Sequence, residues 1–322
     1  MNVRTKILIS IIPLLVISTI ISIYFTVSTH IFQIKSITKN LKLIDINKDH
    51  NQALDTIEYA KENNIDIPST IINFDTHSDV FLFQQIDKQK GAQISNWLNE
   101  FFAKYPNAKE LYWVMPEEEA IYPNLQEMFK QKDPIEEIML YGNSQKESKN
   151  INPNVQQIPY VQYFLIDTNS GYTKEIANSS DTNKKLPLDP KFPKYKKIKI
   201  TTCTISTLPN FKNQEVILSI DADYISNSGF DTQLFFTNNR DTASIKQETN
   251  KILTNLIKKE IKPSIISLTL SPIYVPDEDI DIIMKFYENF LKYSGKQDKL
   301  QIYSRQARST QKKVGETQYY SF

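Results

Sequence analysis

The chain has 322 residues, 38 basic and 37 acidic side chains, and a formal net charge of +1. Hydrophobic residues make up 40% and charged residues 23%, a globular balance that excludes a disordered chain, and the near-neutral charge speaks against a dedicated nucleic-acid binder. One cysteine, Cys203, and six glycines without GxGxxG or GxxxxGK[ST] exclude an intramolecular disulfide framework, a Cys-rich zinc module and the usual nucleotide-phosphate loops.

Residues 7–27, ILISIIPLLVISTIISIYFTV, form an apolar run without a charge, preceded by Arg4 and Lys6. At 1.5 Å per residue a helix of this length spans a hydrocarbon core of roughly 30 Å. The following STHIFQIKS offers no small-residue cleavage pattern, so residues 1–30 read as an uncleaved, single-pass membrane anchor; a cleaved signal peptide is the alternative. The N-terminal charges favour an inside amino terminus and a large domain outside the cytoplasm, although Lys35, Lys39 and Lys42 nearly balance the count. His30 reads as a residue at headgroup level.

Beyond the anchor, strand and helix patterns alternate. LKLIDI (Leu41–Ile46) predicts a strand and His50–Asn64 a helix; Ser69–Asp75 predicts a buried strand. Gly91–Tyr105 is an amphipathic helix with Ile94, Trp97, Leu98, Phe101 and Phe102 on one stripe. Lys109–Met115 is a strand stopped by Pro116, and 117–130 is helical with an interruption at Pro123. Residues 131–210 are rich in Asn, Ser, Lys and Pro and break the rhythm. They read as an insertion with strand-like pieces at Val161–Asp167 and Lys197–Ile205, forming an antiparallel hairpin at the sheet edge. Alternation resumes with a strand at Glu215–Asp221, a helix at Thr242–Glu260, a strand at Ser264–Leu270 and a helix at Asp277–Tyr293. Residues 294–322 are a polar tail. The pattern predicts one α/β domain over 31–293, with a mostly parallel sheet covered on both faces. Such sheets place ligands at the carboxyl ends of their strands.

Polar clusters follow four of these strands: Lys48-Asp49-His50, Asp75-Thr76-His77-Ser78-Asp79, Asp221-Ala222-Asp223 and Ser271-Pro272. Asp75, His77 and Asp79 stand at i, i+2 and i+4, so in extended chain they share a side, and Asp221 and Asp223 repeat the spacing. Anionic groups brought together this way repel unless a cation neutralises them. The alternative is a set of solvated loop carboxylates. Oxygen-rich donors with at most two imidazoles and no thiol favour Mn²⁺, with Fe²⁺, Co²⁺ or Zn²⁺ as alternatives. The donors exceed what one ion needs, and a pair of ions can activate a water and polarise a substrate.

Taken together, DHNQAL, NFDTHSD, ISNWLNEF, YWVMP, SIDADYIS and LSPIYVP resemble the arginase/deacetylase (ureohydrolase) superfamily, and within it the arginase-like branch that includes the peptide arginases. The resemblance covers roughly residues 40–293 apart from much of 131–210. It implies a three-layer α/β/α fold and a dinuclear manganese centre. His50, Asp75, Asp79 and Asp221 would hold one ion, and His77, Asp75, Asp221 and Asp223 the other. The implied reaction is hydrolysis of a guanidinium to an amine and urea, with an arginine side chain in a peptide becoming ornithine. The sequence departs from the classical pattern at Asn47-Lys48-Asp49 before His50 and at Ser226-Asn227. With no histidine left for a proton shuttle, proton transfer would fall to Asp79, another carboxylate or water.

Glu278, after the last strand, is a carboxylate that could orient a guanidinium, or else a helix-start acid stabilised by the dipole. Trp97 and Trp113 read as packing residues, Tyr224 as pocket or core, and Cys203 has no nucleophile context. The function expected is a membrane-anchored, metal-dependent C–N hydrolase acting on a cationic small molecule or peptide. The alternative is a non-catalytic anchored scaffold that keeps metals for stability.

Overall fold

The computed structural model describes Val16 and residues 28–80, 96–117, 159–168, 173–175, 195–227 and 240–295. The expected anchor at 7–27, Val16 apart, lies outside the described residues, as do the expected helix at 117–130 beyond Glu117, the first part of the helix expected at 91–105, and the tail from 296. Among the described residues no helix is long and apolar enough to cross a membrane.

Eight strands form one sheet: β1 (Leu43–Asn47), β2 (Thr70–Phe74), β3 (Glu110–Met115), β4 (Tyr160–Asp167), β5 (Thr173–Glu175), β6 (Tyr195–Thr204), β7 (Ile217–Asp221) and β8 (Ile265–Thr269). Their spatial order is β1-β8-β7-β2-β3-β6-β4-β5. The six strands from β1 to β6 in that order run parallel, whereas β4 is antiparallel to both β6 and β5. The mostly parallel α/β architecture is thus as expected. The two strand-like pieces of 131–210, β4 and β6, do pair antiparallel and β5 extends that edge, while β6 also joins the parallel set beside β3.

Helices cover both faces. On one face lie α2 (Gln52–Glu62) and α3 (Trp97–Lys104), which bury Ala53, Leu54 and Ile57, and Leu98, Phe101 and Phe102. On the other lie α1 (28–37), α5 (Thr242–Lys258) and α6 (Asp277–Tyr293), which bury Ile34 and Ile37, Ile252 and Leu256, and Ile283, Tyr287 and Phe290. These positions recur every three or four residues, as an amphipathic helix requires. Each such buried Leu, Ile or Phe contributes roughly 1.5–3 kcal/mol, enough to hold α6 and the loop before it against the sheet. Between β7 and α5 stands the short helix α4 (Ala222–Ile225).

The two faces of the sheet differ in chemistry. The face toward α5 and α6 is apolar in its two central rows, with Ile44, Ile266, Leu218 and Ile72 in one and Ile46, Leu268, Ile220 and Phe74 in the next. The face toward α2 and α3 changes along the strands. Its first row is Leu43, Ile265, Ile217, Ile71 and Leu111. Its second is Asp45, Ser267, Ser219, Asn73 and Trp113, and its third carries Asn47, Thr269 and Asp221. Asp75 follows the last residue of β2, so polarity rises toward the carboxyl ends.

Within this face Asp45 is 6% exposed. Its carboxylate accepts from Thr56 Oγ1 at 3.2 Å and from the Ile46 amide at 2.9 Å. Burial outweighs both bonds and pushes its pKa up to about 6. A carboxyl whose pKa is higher folded than unfolded contributes stability in its protonated form. That contribution is full below about pH 4 and lost as pH rises through about 6, a difference of about 3 kcal/mol. Asp45→Asn is therefore expected to raise the urea midpoint at pH 7.5, with the gain vanishing near pH 4. A gain of equal size at both pH values refutes the assignment.

Candidate metal centre

Strands β2 and β7 are neighbours, but the helices that follow them lie on opposite faces: α3 after β2 and α5 after β7. Their carboxyl ends therefore flank a crevice at a topological switch point, the place where open α/β sheets bind ligands. Asp75 leaves β2 there and Asp221 ends β7. The Asp75 amide still donates to Val114 O at 3.1 Å, and its carbonyl accepts from Trp113 Nε1 at 3.0 Å. Asp221 caps α4, accepting from the Asp223 amide at 3.2 Å. That cap turns Asp223 back toward β2, where its carboxylate accepts from the Thr76 amide at 3.3 Å. His50 arrives from the turn between β1 and α2, which Gln52 shapes by accepting from the Lys48 and Asp49 amides.

The structure brings together all six residues singled out for metal binding. His50 Nδ1 lies 2.8 Å from Asp79 Oδ2, 3.0 Å from Asp75 Oδ2 and 3.0 Å from Asp221 Oδ2. His77 Nδ1 lies 2.8 Å from Asp223 Oδ2 and 3.4 Å from Asp75 Oδ1. Two groups result, His50 with Asp75 and Asp221, and His77 with Asp75 and Asp223, their donor atoms all within 4.8 Å of one another in each group. Asp75 belongs to both. All but His77, whose side chain is 15% exposed, are buried.

Electrostatics in the cluster are dominated by burial and crowding. Burial opposes charge on both imidazoles, but Asp79, Asp221 and Asp75 around His50, and Asp223 and Asp75 around His77, push their pKa values well above the ordinary range. Burial also works to raise Asp75, yet His50 and His77 hold it well below the usual carboxylate range. For Asp79, burial and the charge on Asp75 push the pKa up to about 8. Burial with Asp221 and Asp75 lifts Asp223 to about 7. Four carboxylates thus exceed what two imidazoles neutralise.

A cation fits this donor set. His50 Nε2 is 2.8 Å from Ser219 Oγ. With Nε2–H donating to that hydroxyl, Nδ1 faces three carboxylate oxygens. Only a proton or a cation at that nitrogen makes the arrangement favourable, and one proton serves only one of the three oxygens. Asp223 Oδ2, buried, faces His77 Nδ1 at 2.8 Å, a contact that is favourable only with a proton or a cation between the two atoms.

The surrounding residues refine the expectations. Trp97 and Trp113 do pack in the core, but both also donate to the cluster: Trp97 Nε1 to Asp79 Oδ2 at 2.5 Å, and Trp113 Nε1 to Asp75 O. Ser271 Oγ donates to Asp221 Oδ2 at 2.7 Å and Asn73 Nδ2 to Asp75 Oδ2 at 3.2 Å. Ser271 and Trp97 lie in the S-P and N-W motifs, and Ser219 and Asn73 open SIDADYIS and NFDTHSD, but no role is assigned to Ser219 or Asn73 from the sequence. Glu278 is not brought into the cluster. It is exposed on the first turn of α6, while Asp279 beside it is buried and accepts from Ser226 Oγ at 2.7 Å. Tyr224 is core, packed edge-on against Phe74 at 5.2 Å. Cys203 is buried, which pushes its thiol up to about 12 and leaves it a poor nucleophile.

Manganese at a hundredfold excess over its dissociation constant is expected to raise the unfolding free energy of the full chain by about 2.7 kcal/mol per independent site. Asp75→Asn alters the carboxylate common to both groups and is expected to abolish most of that gain. Thermal unfolding with and without chelator measures it, and an undiminished gain in the variant contradicts the shared role.

Compared with known proteins, the chain matches no family model and no curated protein.

Proposed function

We propose that the protein is a metal-dependent C–N hydrolase of the arginase-like kind, acting on a guanidinium group in a small molecule or peptide. The observation that carries this reading is the convergence of three buried carboxylates on His50 Nδ1, with Asp75 shared by the neighbouring His77 and Asp223. In this reading His50, Asp75, Asp79 and Asp221 hold one manganese ion, and His77, Asp75, Asp221 and Asp223 a second. The ions would supply Lewis-acid activation of a water and of the substrate.

The chain's own residues do the rest. Ser219, Ser271 and Asn73 orient the ligands from behind, and the acidic crevice favours a cationic substrate. Asp79 is the group proposed to carry the proton from the attacking water to the departing amine, because it stands in the cluster beside His50 and the chain's three histidines leave none for that role there. Glu278, exposed at the start of α6, is set aside as the guanidinium partner. The apolar run 7–27 is proposed to tether the domain to a membrane through α1, with the domain outside the cytoplasm.

The test uses the full chain, purified in detergent from cells grown with manganese. Metal analysis is expected to find about two ions per chain, as a dinuclear hydrolase requires, and few in Asp75→Asn. Urea release from arginine and from arginyl peptides is expected from the parent and not from the variant. A folded parent without metal overturns the hydrolase reading. A metal-loaded parent that releases no urea from any guanidino compound points to the scaffold instead.

A further inference from the structure

Asp79 is held in an unusual way. Its backbone has φ of 51°, a left-handed conformation that non-glycine residues adopt rarely and that must be maintained by surrounding contacts. Its Oδ2, the oxygen nearest His50 Nδ1, accepts the indole N–H of Trp97. The Trp97 ring also lies against the His50 ring, with centroids 5.2 Å apart and planes tilted by 51°. One side chain therefore braces two residues of the same cation position, Asp79 through its nitrogen and His50 through its ring face.

Filling space does not require this arrangement. Trp97 is fully buried at the first turn of α3, beside Leu98, Phe101 and Phe102, where an apolar ring would pack as well. Its nitrogen is instead spent on a carboxylate. Trp113 differs: its N–H meets a backbone carbonyl, that of Asp75, and so holds a loop and not a donor oxygen.

We propose that Trp97 is a positioning residue whose indole N–H sets the affinity of the cation position made by His50, Asp75, Asp79 and Asp221; this rests on the metal-centre reading above. The bond holds Oδ2 in one orientation before the cation arrives and fixes the strained turn. Partners of this kind behind metal ligands are worth about 10–100-fold in metal affinity.

Trp97→Phe keeps the ring and removes the donor. Manganese titration of the full chain in detergent, by calorimetry, is expected to show one of two binding steps weakened about 10–100-fold and the other nearly unchanged. Unfolding with chelator present is expected to stay close to the parent's. Two unchanged steps, or equal loss at both, overturn the proposal. If the variant does not fold, the parent offers a second reading. With only two tryptophans in the chain, ¹⁵N-indole spectra contain two side-chain signals, and zinc serves as a diamagnetic probe. The Trp97 signal is expected to shift with zinc and to gain protection from hydrogen exchange; a signal indifferent to zinc overturns the role. A parent that binds no cation removes the metal-centre reading and this inference together. Normal binding by both parent and Trp97→Phe removes this one alone.

Discussion

Four carboxylates gathered in one buried crevice repel one another, and much of the structure around them is arranged to make that tolerable. Two like charges about 4 Å apart are unfavourable by roughly 4 kcal/mol at an effective dielectric of 20, comparable to a large part of a domain's net stability. Two imidazoles offset this only in part. Protons or cations must meet the remainder: the imidazoles hold Asp75 well below the usual carboxylate range, while burial and neighbouring acids raise Asp79 and Asp223 toward the protonated form, and cations in the crevice would take the place of those protons.

The sheet supplies what the acids need. Its apolar face packs against α1, α5 and α6 and lets the opposite face carry a graded surface, aliphatic at the amino ends and polar at the carboxyl ends. Ser219, Asn73 and Trp113 lie side by side in one cross-strand row, one residue pair behind the ligands, and each hydrogen-bonds to one of them. Ser271 approaches from beyond β8, and Asp279 of α6 secures Ser226 just past α4. The same strands that form the core therefore aim the donors, so core packing and site geometry are not separable here.

Much of this was legible in the chain itself. Strands and helices showed through their apolar runs and three-to-four spacing, and the Asp-x-His-x-Asp and Asp-x-Asp spacings marked donors that the fold does bring together. What was hidden depended on distance in sequence or on rotation. The bonds between His50 and Ser219 and from Ser271 to Asp221 join segments far apart in the chain. At the start of α6, acids stand at 277, 278, 279 and 281, and nothing local tells which turns inward; a step of about 100° per residue puts Asp279 inside and Glu278 outside. β6 was legible as a strand at Lys197–Ile205, but its parallel place beside β3 was not, because strand pairing joins residues far apart in the chain and the polar, proline-rich stretch before it hid the crossover.

The chain's poverty in glycine has a further consequence. Among the described residues five that are not glycine adopt left-handed backbone: Asn64, Asp79, Asn213, Glu260 and Ser271. Asn64 and Glu260 follow the ends of α2 and α5 and Asn213 sits in a turn, places where glycine would relieve strain at no loss of side-chain contacts to the crevice. Asp79 and Ser271 cannot be relieved in this way, because each contributes an oxygen to the cluster. Comparable torsional strain is thus incidental at three positions and obligatory at two. Any drift of this sequence toward a more relaxed backbone is free to proceed at the helix ends but is barred at the crevice, where relaxation and chemistry demand opposite residues.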